Sequence, residues 1–316
     1  MARVLLTHPL PDRAVAVLTG AGHEVELQPQ PGSPGAGDLA GRVAEFDGLV
    51  CVLSDRIDAP LLGAGAAGRL RVISTVAVGY DNIDVPTARS LGLVVCNTPG
   101  ILDETTADLA FLLLLAASRL ATESEDRLRS GHWQGWGLMD HLGRDVHGTV
   151  LGLVGYGRIA RAVARRAEGF SIEVLHFTRT ATGLPGEVGS LDELLGVADA
   201  ISLHVPLTEA THHLIGAREL ALMKPTAVLV NTARGAVVDE DALADALETG
   251  GIFAAGLDVF SDEPRVSARL RDAPRTVLLP HIGSATVATR TKMAVAACQS
   301  VCDVLAGRPS PNAIPA

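Results

Sequence analysis

The sequence predicts an α/β protein of two domains built from parallel strands joined by helical crossovers. Three observations carry that prediction. The chain has 316 residues, 47% of them hydrophobic, which is more than one ordinary domain needs for its core. Short β-branched runs alternate with helical patterns along most of its length. A glycine-rich turn, Gly155-x-Gly157-x-x-Ala160, stands at mid-chain between an apolar strand and a helix that starts at Arg158.

In chain order, RVLLT, DGLVCVLS, RVISTVAVG and LVVCNT read as strands, each followed by a polar or glycine-containing break. QPQPGSPGAGD, from Gln28 to Asp38, reads as a loop. The segment from Glu104 to Leu120 is apolar nearly all round and free of proline and glycine. It predicts a buried helix bridging two domains. A second and larger series follows: VLGLVG, IEVLHF, ADAISLHV, AVLVNTA, FAAGLDV and TVLLP, with helices at SLDELLG and DEDALADALETG. RPSPNAIPA closes the chain as a tail that cannot continue the preceding helix.

Net charge of -10 and a pI near 5.4 argue against a nucleic-acid or anionic-membrane partner, which needs a basic patch. The apolar run around Ala110 to Ala117 is too short to span a bilayer, and MARVLLTHPL reads as a first strand and not a signal peptide. The expected location is the cytoplasm. Four scattered cysteines (Cys51, Cys96, Cys298 and Cys302) make no disulfide framework. Cys298 and Cys302 share a helix face through packing and not through metal, so no metal site is expected. His212 and His213 read as surface or helix-end residues, and Asp81 and Asp84 as turn and cap residues.

The glycine turn suits a dinucleotide, because glycines let the backbone approach a pyrophosphate and the helix N-terminus offers free N–H groups. The same glycines also serve tight turns with no ligand. A NAD-preferring unit carries an acid about 20 residues further on, to bind the ribose hydroxyls. Here Thr178, Arg179 and Thr180 stand in that place, so no carboxylate repels a 2′-phosphate and Arg179 can pair with it. NADP(H) is the expected cofactor, with NAD(H) second. Three polar residues follow strands of the second series: Arg234, Glu263 and His281. A histidine held protonated by a carboxylate can give a proton to the alkoxide formed when hydride adds to a ketone, and arginine can hold a substrate carboxylate.

The set VGYDNID, NTPG, TADLA, GYGRIA, NTARG, GLDVFSDEP and PHIGS, in that order from about Leu53 to the final helix, resembles the D-isomer-specific 2-hydroxyacid dehydrogenase family. Within that family it is most similar to the glyoxylate/hydroxypyruvate reductase branch. The resemblance implies two Rossmann-like, doubly wound parallel-sheet domains, with the cofactor domain (residues 99–285) inserted into a discontinuous substrate domain (1–98 plus 286–316) and the active site in the cleft between them. It implies a catalytic trio in which His281 donates the proton, Glu263 pairs with it and Arg234 binds substrate. Leu53 borders the substrate, and the amides at Val78 and Gly79 cradle its carboxylate. For the cofactor it implies Gly155, Tyr156, Gly157, Arg158 and Ile159 at the pyrophosphate and Thr178 to Thr180 at the adenosine ribose. Thr106, Val205, Pro206, Thr211, Thr232, Ala233, Asp258, His281 and Gly283 complete the contacts. The expected partners are a small 2-oxo or 2-hydroxy acid and a second copy in a homodimer, and the expected reaction is NAD(P)H-dependent reduction to a D-2-hydroxy acid. The alternatives are a relative acting on phosphite, formate or 3-phosphoglycerate, or a dinucleotide-sensing corepressor-like protein. The tryptophan-containing loop from His132 to Gly148 departs from the family's wording.

Overall fold

The computed structural model describes residues 1–29 and 39–315. Along the chain run β1 (Arg3–Leu6), α1 (Asp12–Gly20), β2 (Glu24–Leu27), α2 (Leu39–Val43), β3 (Gly48–Cys51), α3 (Ala59–Ala67), β4 (Val72–Thr75), α4 (Val85–Ser90) and β5 (Val94–Cys96). Then come α5 (Asp103–Ser118), α6 (Ala121–Arg129), β6 (Val150–Val154), α7 (Arg158–Glu168), β7 (Glu173–Phe177), α8 (Leu191–Val197) and β8 (Ala200–Leu203). The chain continues with α9 (Ala217–Leu222), β9 (Val228–Asn231), α10 (Glu240–Thr249), β10 (Ala254–Leu257), α11 (Ala268–Asp272), β11 (Thr276–Leu278) and α12 (Val287–Leu305). The α/β class read from the sequence holds. Most of the loop expected from Gln28 to Asp38 lies outside the described residues.

The chain divides into two compact units, Met1–Leu102 with Ala285–Ala316, and Asp103–Ser284. The first holds a five-stranded parallel sheet in the order β2-β1-β3-β4-β5. Strand alternation sorts its core onto two faces: Leu5, Leu49 and Ile73 on one side, Val4, Leu6, Val50 and Val72 on the other. Cys298 and Cys302 of α12 pack into the second of these cores, and burial pushes the Cys298 thiol up to about 12, as expected of inert packing residues. Beyond α12 the tail turns back and pairs with β5, Ile314 N–H donating to Val95 O at 2.8 Å.

The second unit holds a six-stranded parallel sheet in the order β11-β10-β9-β8-β6-β7. Its central strands β8, β9 and β10 are buried along their whole length, the mark of a parallel sheet covered on both faces. The helix expected to bridge two domains is α5. It opens the second unit and packs there against α7, β9 and β10, burying Ala107, Ala110, Leu113, Leu114 and Ala117. Among the described residues, no single helix is long and apolar enough to cross a membrane. The strand order reverses between β6 and β8, so the loops after these two strands diverge and leave a crevice at their carboxyl ends.

Candidate active site

The crevice is lined from the β6 side by the glycine turn. Gly155 adopts φ +86°, and a Cβ there would lie 2.7 Å from the carbonyl oxygen of His204 at the end of β8. Only glycine fits where two chains approach so closely. Gly157 caps α7 with no side-chain acceptor, leaving the first N–H groups of that helix for a ligand, whereas Ser190 and Asp239 cap α8 and α10 with their own side chains. Ala160, at the third fingerprint position, is fully buried in the core that α7 shares with α5 and the sheet. Arg158 pairs with Asp103 at 3.3 Å, a partner not read from the sequence. Burial raises the Asp103 carboxyl, and the Arg158 charge opposes that.

From the β8 side, Val205 and Pro206 follow His204, and the Thr211 hydroxyl closes their loop by donating to Pro206 O at 2.6 Å. Burial lowers the His204 imidazole to about 4, so it is neutral at physiological pH. Its Nε2 lies 2.9 Å from Ser202 Oγ. Tyr156 stacks on His176 with ring centroids 3.8 Å apart, and Arg161 lies over the Tyr156 ring at 5.6 Å.

At the end of β7 one expectation needs correction. The sequence reading left the Thr178–Arg179–Thr180 stretch free of carboxylates, but the chain folds back along β7 and brings Glu187 to it. Thr178 Oγ1 lies 2.8 Å from Thr180 O and 3.2 Å from Glu187 Oε1, and Glu187 also accepts from the Thr182 and Gly183 N–H groups, each at 2.7 Å. The bond from Thr182 leads the causes that hold this carboxyl below its ordinary value. Arg179 is exposed and has no ion-pair partner among the described residues.

The three polar residues read as a trio sit at the ends of β9, β10 and β11. Asn231 at the end of β9 accepts from Ala233 N–H through Oδ1 at 3.0 Å and donates to Arg234 O through Nδ2 at 2.8 Å, fixing the turn that carries Arg234. A Cβ on Gly235 would come within 1.9 Å of the Phe260 carbonyl carbon, so glycine is required where this turn crosses the chain leading to Glu263. Glu263 Oε2 meets His281 Nδ1 at 2.8 Å, while Oε1 accepts from Phe260 N–H at 3.0 Å. Burial alone would push this carboxyl up, but the bonds from His281 and Phe260 and the charges of His281 and Arg234 bring it below its ordinary value. Arg234 thus acts on the same carboxylate that pairs with His281.

Asp258, 1% exposed, accepts from Ile282 and Gly283 N–H, both at 2.7 Å, and its carbonyl accepts from His281 N–H at 2.8 Å. It latches the loop on which His281 sits at φ +53°. Burial raises the Asp258 carboxyl, and the two amides oppose that. Thr106 Oγ1 reaches Gly283 O at 3.3 Å. The Thr232 hydroxyl is buried with no hydrogen-bond partner among the described residues. A buried hydroxyl left unpaired is costly, so a water or a ligand that bonded to it would offset that cost. The Gly155 cradle and the Thr232 hydroxyl both fit a dinucleotide.

Leu53, Val78 and Gly79 belong to the first unit, at the carboxyl ends of β3 and β4. Asn82 Nδ2 donates to Val52 O at 3.2 Å and Asp55 O at 2.8 Å, closing the loop around Leu53. Asp84 caps α4 through Thr87 N–H at 3.0 Å.

The family model for "D-isomer specific 2-hydroxyacid dehydrogenase, NAD binding domain" matches residues 111–283. The glyoxylate reductase of Thermococcus litoralis is 42% identical, covering 99% of this chain and 96% of that protein. The chain belongs to the D-isomer-specific 2-hydroxyacid dehydrogenase family. It is an oxidoreductase that binds a nicotinamide dinucleotide. The glyoxylate reductase of Korarchaeum cryptofilum is 43% identical over 99% of this chain and 95% of its own length. Among solved structures of similar proteins, one from Thermus thermophilus superposes with a TM-score of 0.92 at 44% identity, covering 99% of this chain and all of that one. An NADPH-dependent glyoxylate/hydroxypyruvate reductase from Sinorhizobium meliloti, in complex with NADP and malonate, gives 0.87 at 32% identity over 99% of this dehydrogenase and 96% of that chain.

Proposed function

We propose that this dehydrogenase reduces small 2-oxo acids, glyoxylate and hydroxypyruvate, to D-2-hydroxy acids, with NADPH preferred over NADH. The observation that carries the reading is the 2.8 Å contact between His281 Nδ1 and Glu263 Oε2. With Nδ1 bonded to the carboxylate, Nε2 is the ring atom left to face a substrate oxygen.

In this reading a bound nicotinamide would supply the hydride that the carbonyl carbon of the oxo acid takes up. His281 gives the proton that the resulting alkoxide needs, and Glu263 steadies the charged ring until it does. Arg234 binds the substrate carboxylate and polarises the carbonyl, and the Val78 and Gly79 amides take the remaining carboxylate oxygen. In this reading the cofactor contacts all belong to the second unit, and Leu53, Val78 and Gly79 belong to the first. The assignment of glyoxylate and hydroxypyruvate follows the names of the relatives. Arg179, exposed and without a counter-ion, supports the NADPH preference as the group that pairs with the 2′-phosphate.

Initial rates with NADPH and NADH against glyoxylate, hydroxypyruvate, pyruvate and phenylpyruvate test the proposal. Fast NADPH oxidation with the first two is expected, and no reduction of any oxo acid with either cofactor overturns it. His281→Ala should abolish turnover while leaving NADPH binding intact. The working form is a homodimer: Trp133, Trp136, Leu138, Met139 and Leu142 crowd one exposed segment of the second unit, an apolar surface that a second copy covers. Light scattering on the purified chain gives the mass that decides it.

A further inference from the structure

The substrate loop of the first unit is tied down at two successive peptides. Beyond β4, Val76 N–H still donates to Cys51 O of β3 at 2.9 Å. The next two carbonyls turn the other way, toward the end of β5. Thr98 N–H donates to Ala77 O at 2.8 Å, and Asn97 Nδ2 donates to Val78 O at 2.7 Å. A peptide is planar and trans, so fixing a carbonyl fixes the N–H on its opposite side. The peptide of Ala77 O carries the Val78 N–H, and the peptide of Val78 O carries the Gly79 N–H. These are the two N–H groups assigned above to the substrate carboxylate. A carbonyl that accepts a hydrogen bond also polarises its own N–H and makes it a better donor.

Asn97 is itself held from behind. Its N–H donates to Asn312 O at 3.1 Å, in the tail that pairs with β5, and Asn312 Nδ2 reaches Ser300 Oγ of α12 at 3.1 Å. The fully buried Ser300 donates in turn to Ala296 O at 2.9 Å. A continuous chain of hydrogen bonds therefore runs from the last helix through the C-terminal segment to the Val78 carbonyl.

We propose that Asn97, braced by the C-terminal segment, is the positioning residue of the carboxylate-binding loop, orienting the Gly79 N–H through the Val78 carbonyl. The inference rests on the assignment of the Val78 and Gly79 amides to the substrate carboxylate. Asn97 does not touch the substrate, so its removal changes how firmly the oxo acid is held and leaves the cofactor alone.

The test is steady-state kinetics on the full chain. Asn97→Ala should raise the KM for glyoxylate about tenfold, the effect of one well-placed hydrogen bond, and weaken inhibition by oxalate in proportion. The KM for NADPH should stay within about twofold, a split that a loss of general stability does not produce. Asn97→Asp keeps the shape and removes the donor. It should show the same split or a larger one, and it carries the test if the alanine variant fails to fold. An unchanged glyoxylate KM in the folded variants, or a parallel rise in both KM values, overturns the proposal. Gly79→Ala separates the two levels of the argument, since it puts a methyl where main chain should meet the carboxylate. If this variant leaves the glyoxylate KM unchanged, the loop assignment itself fails. If it raises that KM and the Asn97 variants do not, only the role of Asn97 fails.

Discussion

His281 Nδ1 and Glu263 Oε2 lie 2.8 Å apart, and the other oxygen of the same carboxylate is tied to the Phe260 N–H at 3.0 Å. The carboxylate is anchored to its own backbone turn before it meets the ring. It therefore acts as a fixed acceptor that sets both the orientation of the imidazole and the nitrogen that faces outward.

Glu263→Gln tests the charge of that acceptor while keeping its shape. The amide steadies a charged ring less well than the carboxylate does, so the rate of reduction should fall by about tenfold to a hundredfold near neutral pH, at or below the low end of what a general acid itself contributes. The wild-type carboxyl also sets a pH dependence of stability. Its folded value lies below the ordinary one, so the stability it contributes is present above the unfolded value and is lost as pH falls through the depressed folded value. The Glu263–His281 contact should persist in acid where an ordinary carboxylate is already protonated. Rates and unfolding of both enzymes, followed from neutral pH to below pH 5, check the two expectations. A wild-type rate for the glutamine variant would separate Glu263 from proton delivery.

Asp258→Ala removes the acceptor of two backbone N–H groups on the His281 loop. Each buried N–H left unpaired costs about 1–3 kcal/mol, so a clear drop in Tm is expected. The rate should fall further than loss of folded protein explains, because the loop that carries His281, the proposed proton donor, is no longer held. Thermal unfolding and kcat measured on the same preparation separate the two effects.

These latches mark the limit of what was legible in the sequence. The strands of both sheets other than β2, the glycine turn and the Arg234, Glu263 and His281 positions stand out because apolar runs and the polar residues that end them are local patterns. β2 was missed because EVEL at the sheet edge alternates charge with apolar residues and never forms an apolar run. Glu187 was missed for a different reason. It reaches Thr178 because His176 N–H bonds to Gly186 O at 2.8 Å and Val188 N–H to His176 O at 3.0 Å, a fold-back that residue spacing does not encode. The roles of Asn231 and Asp258 as backbone braces were hidden likewise, since each depends on which N–H groups a distant loop brings to it.

Gly235→Ala should be more damaging than its size suggests. The added Cβ would meet the Phe260 and Ser261 backbone at 1.9 to 2.4 Å, where no side chain can swing aside. Overpacking costs about 1–3 kcal/mol when neighbours can yield, and main chain yields least. The turn that carries Arg234 should shift, raising the KM for the oxo acid and lowering Tm together. A variant with wild-type Tm would show that the crossing has slack.

Cofactor choice turns on a balance of charges at the end of β7. Thr178 has one hydroxyl proton, already directed toward Thr180 O and the Glu187 carboxylate, so it is not available to a phosphate. On the proposed NADPH preference, Arg179 is the cation left to pair with a 2′-phosphate, and Glu187, ionised at neutral pH, opposes the same ligand. Arg179→Ala should therefore lower kcat/KM for NADPH by about tenfold, the low end for a charge-assisted bond at an exposed site, and leave NADH nearly unchanged. Glu187→Gln keeps an acceptor for the Thr182 N–H while removing the charge, so the ratio of NADPH to NADH efficiency should rise a few-fold. Measuring that ratio for the three proteins at two salt concentrations provides a further check, because a contact made by exposed charges weakens as salt rises. If Arg179→Ala reduces both cofactors equally, the residue supports the loop and not the phosphate, and the preference for NADPH loses its basis.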